Sequence, residues 1–228
     1  MKPYWISEIH EENNVRTVYI NPLPDKYCSF DCVFCPLGRT THKTDNGYRF
    51  EGTEDFLIRL RNKLSGEKID EVFINPTGEG LANSELGKVI ELIKSFGCRI
   101  KILSNGYVVN RKENRELLWL CDEVVGELMT VTEEDFQRLN RPLEGYTLNA
   151  YVDNMAAFNR SFDGQLTLSI TLLKKYSDNE AALSFFRDAI DKIKPDNVYF
   201  ETPEEGKLAE AFGVGSETLE KFQKELGI

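Results

Sequence analysis

Six short apolar runs rich in β-branched and aromatic residues punctuate the chain: RTVYI (16–20), DEVFIN (70–75), RIKILS (99–104), DEVVGEL (122–128), LTLSITLL (166–173) and DNVYF (196–200). Their length and composition predict strands. Between them apolar positions recur at helical spacing behind start signals. Thr53 precedes EDFLIRLRNKL, Asn83 precedes SELGKVIELIKSF, Thr132 precedes EEDFQRL, Thr147 precedes LNAYVDNMAAF and Ser177 precedes DNEAALSFFRDAIDKI. A short side-chain oxygen at such positions suits the free N–H groups of a first helical turn, while Gly66, Gly97 and Pro195 mark stops. Alternating strands and helices imply parallel strands joined by right-handed crossovers. Six units are too few for an eight-stranded barrel and too regular for an α+β domain. A partial barrel or an open doubly wound sheet remains. One domain over 1–228 is expected, its core at about 15–205 and a last helix at 215–226.

Both architectures place chemistry at the C-terminal ends of the strands. NPLPDKYCSFDCVFC follows the first strand, PTGEG the second and NGY the third. The fourth ends in Glu127, the fifth runs into Lys174 and Lys175, and Glu201 follows the sixth. Cysteines, glycines and isolated polar groups therefore collect on one rim.

Composition narrows the chemistry. Lys and Arg total 28 against 38 Asp and Glu, a formal charge of −10 that opposes nonspecific binding to nucleic acid or anionic membrane. No apolar run approaches the roughly 18 residues a membrane span needs, and MKPYWISEIHEENN lacks the apolar core of a secretory signal. A cytoplasmic location is expected. In a reducing compartment closely spaced cysteines are more often metal-binding or catalytic than cross-linked, and the odd count of five agrees. Cys98 and Cys121, beside apolar runs, are expected as buried core thiols.

Cys28, Cys32 and Cys35 have the spacing C-x3-C-x2-C. Structural zinc normally takes four protein ligands, whereas a four-iron cluster held by three cysteines leaves one iron open to a substrate or cofactor. His42, seven positions after Cys35, offers a Cys3His zinc site as the alternative. A zinc-stabilised binding module or an iron-sulfur electron carrier thus stands beside an enzyme.

With Phe34 just ahead of its last cysteine, the loop resembles the signature of the radical S-adenosylmethionine (radical SAM) superfamily, whose fold is a partial (β/α)6 TIM-like barrel with this loop after the first strand. The resemblance runs over about residues 15–205. YCSFDCVFCPLGRTTHKT, TGEG, SNG and FQRLNRP (136–142) are similar to its wyosine-synthase-like branch. The resemblance implies that Cys28, Cys32 and Cys35 ligate a [4Fe-4S] cluster and that SAM chelates the fourth iron through its amino and carboxylate groups. Phe34 would lie against the adenine. Thr77, Gly78, Glu79 and Gly80 would stand at the turn that meets the methionyl ammonium, where a bare backbone allows close approach, with Gly80 replacing a proline common in the family. Ser104 and Asn105 would contact the ribose or carboxylate, Glu127 the ribose hydroxyls, and Thr171 would face the rim. Ser169 stands where relatives often carry an arginine, so that contact is absent or comes from Lys174.

The family chemistry so implied is oxygen-sensitive reductive cleavage of SAM to a 5′-deoxyadenosyl radical, which abstracts a hydrogen from a substrate held in contact and away from water. Its first step needs no protein base, and the catalytic residues beyond the cofactor set are unassigned. Neither histidine, His10 nor His42, has a partner pattern. The favoured substrate is a small molecule, peptide or protein. Transfer RNA is the second reading: Arg39, His42, Lys43, Arg138, Arg141, Lys174 and Lys175 could serve it, but acidity weakens phosphate binding. The archaeal wyosine enzymes also carry a cysteine cluster upstream of the first, and no cysteine precedes Cys28. With no cysteine-rich extension and no flavin domain in this sequence, a separate ferredoxin or flavodoxin is the expected electron donor.

Overall fold

The structure, a computed structural model, describes residues 2–228. Strands β1 (Ile6–Glu12) and β2 (Val15–Ile20) form an antiparallel hairpin. Asn13 and Asn14 turn it at φ of 50° and 64°, a left-handed conformation that asparagine tolerates well. The loop after β2 carries a small parallel ribbon of β3 (Tyr27–Cys28) and β4 (His42–Lys43). Five more strands follow: β5 (Glu71–Ile74), β6 (Arg99–Ser104), β7 (Glu123–Leu128), β8 (Gln165–Thr171) and β9 (Asn197–Glu201). From β2 onward the large sheet is parallel, in the order β1-β2-β5-β6-β7-β8-β9. β9 does not pair back onto β1, so the barrel stays open.

The six expected strands are all present. The sequence pattern did not announce β1, because ISEIHEE is largely polar and exposed, as suits an edge strand guarded by charge.

Helices α1 (Thr53–Gly66), α2 (Leu86–Ser95), α3 (Lys112–Leu118) and α4 (Glu133–Asp135) connect the earlier strands. They are followed by α5 (Leu148–Asn159), α6 (Glu180–Ile193), α7 (Gly206–Phe212) and α8 (Ser216–Leu226). Thr132 and Thr147 cap α4 and α5, accepting from the N–H groups of Asp135 and Ala150. The other three start signals shift, and Thr53 is itself the first residue of α1, behind Gly52 at the cap position and with no side-chain capping bond. α6 is capped by Asn179, which accepts from Ala182 N–H, while Ser177 accepts from Leu173 N–H. Asn83 accepts from Glu85 N–H ahead of α2 and donates to the Pro22 carbonyl.

Strand periodicity explains how the fold presents a site. Even-numbered residues such as Val72, Ile74, Ile100, Ile102, Val124 and Leu168 are buried in one core with Phe56 and Leu60 of α1, Val89 and Ile93 of α2, and Phe186 of α6. Each such side chain contributes about 1.5–3 kcal/mol by leaving water. Odd-numbered neighbours, including Phe73, Leu103, Glu127, Thr171, Tyr199 and Glu201, line a cavity of about 700 Å³. No helix among the described residues is long and apolar enough to cross a membrane.

Candidate functional site

The three loop cysteines line this cavity from the side of β2. Two braces set their positions. One is the β3–β4 ribbon, where His42 N–H donates to the Lys26 carbonyl at 3.0 Å and Thr44 N–H to the Cys28 carbonyl at 2.9 Å. The other is a single π-helical turn, Phe136–Asn140, of the kind that often marks functional sites. Asp31 N–H donates to the Asn140 carbonyl at 3.0 Å and Val33 N–H to the Leu139 carbonyl at 2.8 Å. The FQRLN stretch is thus the outer support of the cysteine loop.

Every loop sulfur has an N–H donor. Cys28 Sγ faces Phe30 N–H and Asn105 Nδ2, each at 3.5 Å. Cys32 Sγ faces Asn140 Nδ2 at 3.6 Å, and Cys35 Sγ faces Lys26 Nζ at 3.0 Å. Burial pushes the Cys28 thiol up to about 12, with Glu79 adding to the rise. Burial also raises the Cys32 thiol, and the other two cysteines and Glu127 add to it. Such thiols ionise only when a strong positive charge arrives, which a bound metal supplies. Among the described residues no three His, Cys, Asp or Glu side chains converge as ligands of a single ion. His42 stacks on the Tyr27 ring at 4.2 Å, with Nε2 3.6 Å from Asp25. So placed, His42 has Tyr27 and Asp25 as its partners. Cys98 and Cys121 are buried, unpaired core thiols.

The turn after β5 is wired into this loop. Glu79 N–H donates to the Tyr27 carbonyl at 2.7 Å. A Cβ on Gly78 would lie 2.2 Å from that same oxygen, so only glycine permits the approach. The buried Glu79 carboxylate accepts from Ser104 Oγ at 3.0 Å, Asn105 N–H at 2.9 Å and Leu81 N–H at 3.2 Å. Burial still leaves its pKa raised, because those bonds only partly offset the lost hydration. Asn105 then donates to Ser29 Oγ at 3.0 Å. Gly78, Asn105, Glu127, Thr171 and Phe34 line the cavity, whereas Thr77, Glu79, Gly80 and Ser104 stand behind it. Thr77 N–H donates to Asn21, and Gly80 opens a 3-10 turn, Gly80–Ala82.

The opposite wall comes from β7, β8 and β9. Glu127 is level in register with Ser169 and Tyr199. Its half-buried carboxylate faces the cavity, and burial, reinforced by Glu201 and Glu79, raises its pKa to about 8. Ser169 and Thr171 each donate to Glu201 Oε1 at 3.0 Å. Phe34 is buried among Met129, Leu139 and Leu173, its ring edge-on to Phe212 of α7 at 6.2 Å. The residues after β9 complete the wall with Thr202, Pro203, Glu204, Glu205 and Leu208.

Cavity residues outside the motif reading include Lys26, Tyr199 and Glu201. Lys26 and Tyr199 belong to no pattern, and Glu201 stood out only as a polar strand end. Position alone marks them: Lys26 lies two residues before Cys28, and Tyr199 and Glu201 fall on the odd-numbered face of β9. Of the basic candidates, Arg39 and Arg141 both reach Asp31, at 2.8 and 3.8 Å. Arg138 pairs with Asp135 and lies over the Tyr176 ring.

A sequence model of the Radical SAM superfamily matches residues 24–186. A UPF0026 protein of Methanocaldococcus jannaschii is 28% identical over 191 residues, 82% of this chain and 60% of that protein. The chain therefore spans less than two thirds of that relative. Among solved structures, TYW1 with a lysine-pyruvate adduct bound superposes on 93% of the chain and 73% of its own, at 14% identity and a TM-score of 0.69. A radical SAM methyltransferase from Sphaerobacter thermophilus covers 96% of the chain, with 65% of its own covered, at 14% identity and the same TM-score of 0.69. At these identities the likeness of the structures is one of fold.

Proposed function

Because the chain belongs to the Radical SAM superfamily and is an enzyme of that class, we propose that Cys28, Cys32 and Cys35 hold a [4Fe-4S] cluster and that the cavity beside them binds SAM and a substrate. The observation that carries this reading is the shared wall: three thiols with no disulfide, each met by an N–H donor, open on one cavity at the ends of parallel strands. Hydrogen bonds to sulfur are the ordinary means by which a protein steadies and tunes such a cluster. Held by Cys28, Cys32 and Cys35, such a cluster would supply the one electron needed for reductive cleavage of SAM.

The chain's own residues bind, orient and keep water out. Gly78 brings bare backbone to the cavity, Asn105 ties the end of β6 to the cysteine loop, and Phe34 gives an apolar face to the adenine. Thr77, Glu79, Gly80 and Ser104 act from behind, with Glu79 as the knot that fixes the ends of β5 and β6. A neutral Glu127 carboxyl can both donate to and accept from ribose hydroxyls. Thr171 holds Glu201 in place. The electron comes from a separate ferredoxin or flavodoxin. The substrate is a small molecule, peptide or protein. Nucleic acid is the weaker reading, since Glu127, Glu201, Glu204 and Glu205 line the cavity and Lys26 is the one cation among its lining residues.

Anaerobically prepared protein is expected to hold about four irons per chain, to form 5′-deoxyadenosine with dithionite and SAM, and to lose both properties in Cys28→Ala. One zinc per chain, or a cluster indifferent to SAM, sinks the proposal. Addition of transfer RNA is expected to leave turnover unchanged.

A further inference from the structure

Lys26 is the most deeply buried charged side chain on the cavity wall, only 2% exposed. Its ammonium donates to Cys35 Sγ at 3.0 Å and to the Gly38 carbonyl. No carboxylate of the described residues pairs with it, and a sulfur and a peptide oxygen take that place. Its backbone is pinned on both sides, with N–H on Asp25 Oδ1 at 2.7 Å and the carbonyl accepting from His42. An ammonium withdrawn from water is costly unless a negative charge answers it. The one partner of the ammonium that can become an anion is the Cys35 sulfur, as thiolate when metal binds.

We propose that Lys26 is the resident counter-charge of the metal loop, a positioning residue that clamps Cys35 through an N–H···S hydrogen bond and makes the cluster easier to reduce. This rests on the cluster reading above. Reduction adds one negative charge to the cluster, and a fixed cation beside a ligating sulfur in a low-dielectric wall favours the more negative state. The same side chain joins the two flanks of the loop, from the residue before β3 to Gly38, so it also favours retention of the metal.

The test uses the full chain, anaerobically reconstituted, as wild type, Lys26→Arg, Lys26→Gln and Lys26→Met, with circular dichroism as the check on folding. Iron retention against a chelator and the midpoint potential from a redox titration followed by electron paramagnetic resonance are the readouts. Lys26→Met is expected at a more negative potential with faster iron loss, Lys26→Gln between, and Lys26→Arg near wild type. Equal potential and retention in Lys26→Met and wild type overturns the proposal. So does a Lys26→Arg variant as impaired as Lys26→Met, because the role is then one of shape and not of charge. If Lys26→Met folds but takes up no iron, loading of Lys26→Arg supports the counter-charge and its failure refutes it. Wild-type protein without a cluster refutes the cluster reading itself, a result seen before any substitution is compared.

Discussion

Two glycines in one turn, Gly78 and Gly80, serve different ends. Gly78 has no room for a methyl group, because an added Cβ would lie 2.2 Å from the Tyr27 carbonyl oxygen. That oxygen also accepts the Glu79 N–H at 2.7 Å. Gly78→Ala must therefore push the turn off the start of the cysteine loop, at a cost of about 1–3 kcal/mol or more. At Gly80 an added Cβ meets nothing nearer than Pro76 Cγ at 3.5 Å, and the residue begins a 3-10 turn that alanine accepts. Gly80→Ala is expected to be neutral or to stabilise by about 0.4–1 kcal/mol through the unfolded chain. Denaturant midpoints of the two variants check this, and the idea fails if their order is reversed.

At the scale of elements, the π-turn at Phe136–Asn140 is where local irregularity holds the site. Asn140 accepts from Thr130 Oγ1 at 2.9 Å and donates toward Met129 Sδ at 3.3 Å and Cys32 Sγ at 3.6 Å. Asn140→Ala strands the buried Thr130 hydroxyl, an expected loss of about 1–3 kcal/mol, and removes one donor from Cys32. Lower denaturation midpoint together with faster iron loss is the expected pair of results. A fall in stability with unchanged iron retention denies the turn its role at the sulfur. The same elements show what a sequence can disclose. The parallel strands were readable because apolar β-branched runs recur between capped helices, and the cysteines because spacing within one loop is a local property. The roles of Lys26, Glu201 and Asn140 were not readable, since each depends on partners brought from other segments: Cys35 and Gly38, Ser169 and Thr171, Thr130 and Cys32. β1 was hidden for the opposite reason, its solvated edge giving it the polarity of a loop. FQRLN carried a motif, but not its π-turn, because the widened helical turn answers to the loop packed against it.

Across the whole molecule the acidic excess turns inward as well as out. The chain carries a formal charge of −10, and Glu127 and Glu79 sit at or behind the cavity with raised pKa values. For Glu127 the ordinary value of 4.5 rises to about 8. The folded protein thus keeps a proton that the unfolded chain releases above pH 4.5, and the number of bound protons favours the native state in acid. Stability contributed by this group is complete below the unfolded value and falls as pH climbs from 4.5 toward 8, beyond which the penalty is constant. Its size is on the order of a few kcal/mol, reduced by the contact of the carboxylate with cavity water. Glu79 acts in the same direction. Metal-free protein under reducing conditions is therefore expected to lose stability between about pH 5 and 8, and Glu127→Gln, which cannot ionise, is expected to gain on wild type steadily across that window. Urea unfolding of both proteins at several pH values measures the difference. A constant gap between them from acid to alkali means that Glu127 is ionised in the fold at neutral pH, and the cavity then presents an acceptor, not a donor, to whatever ribose enters it.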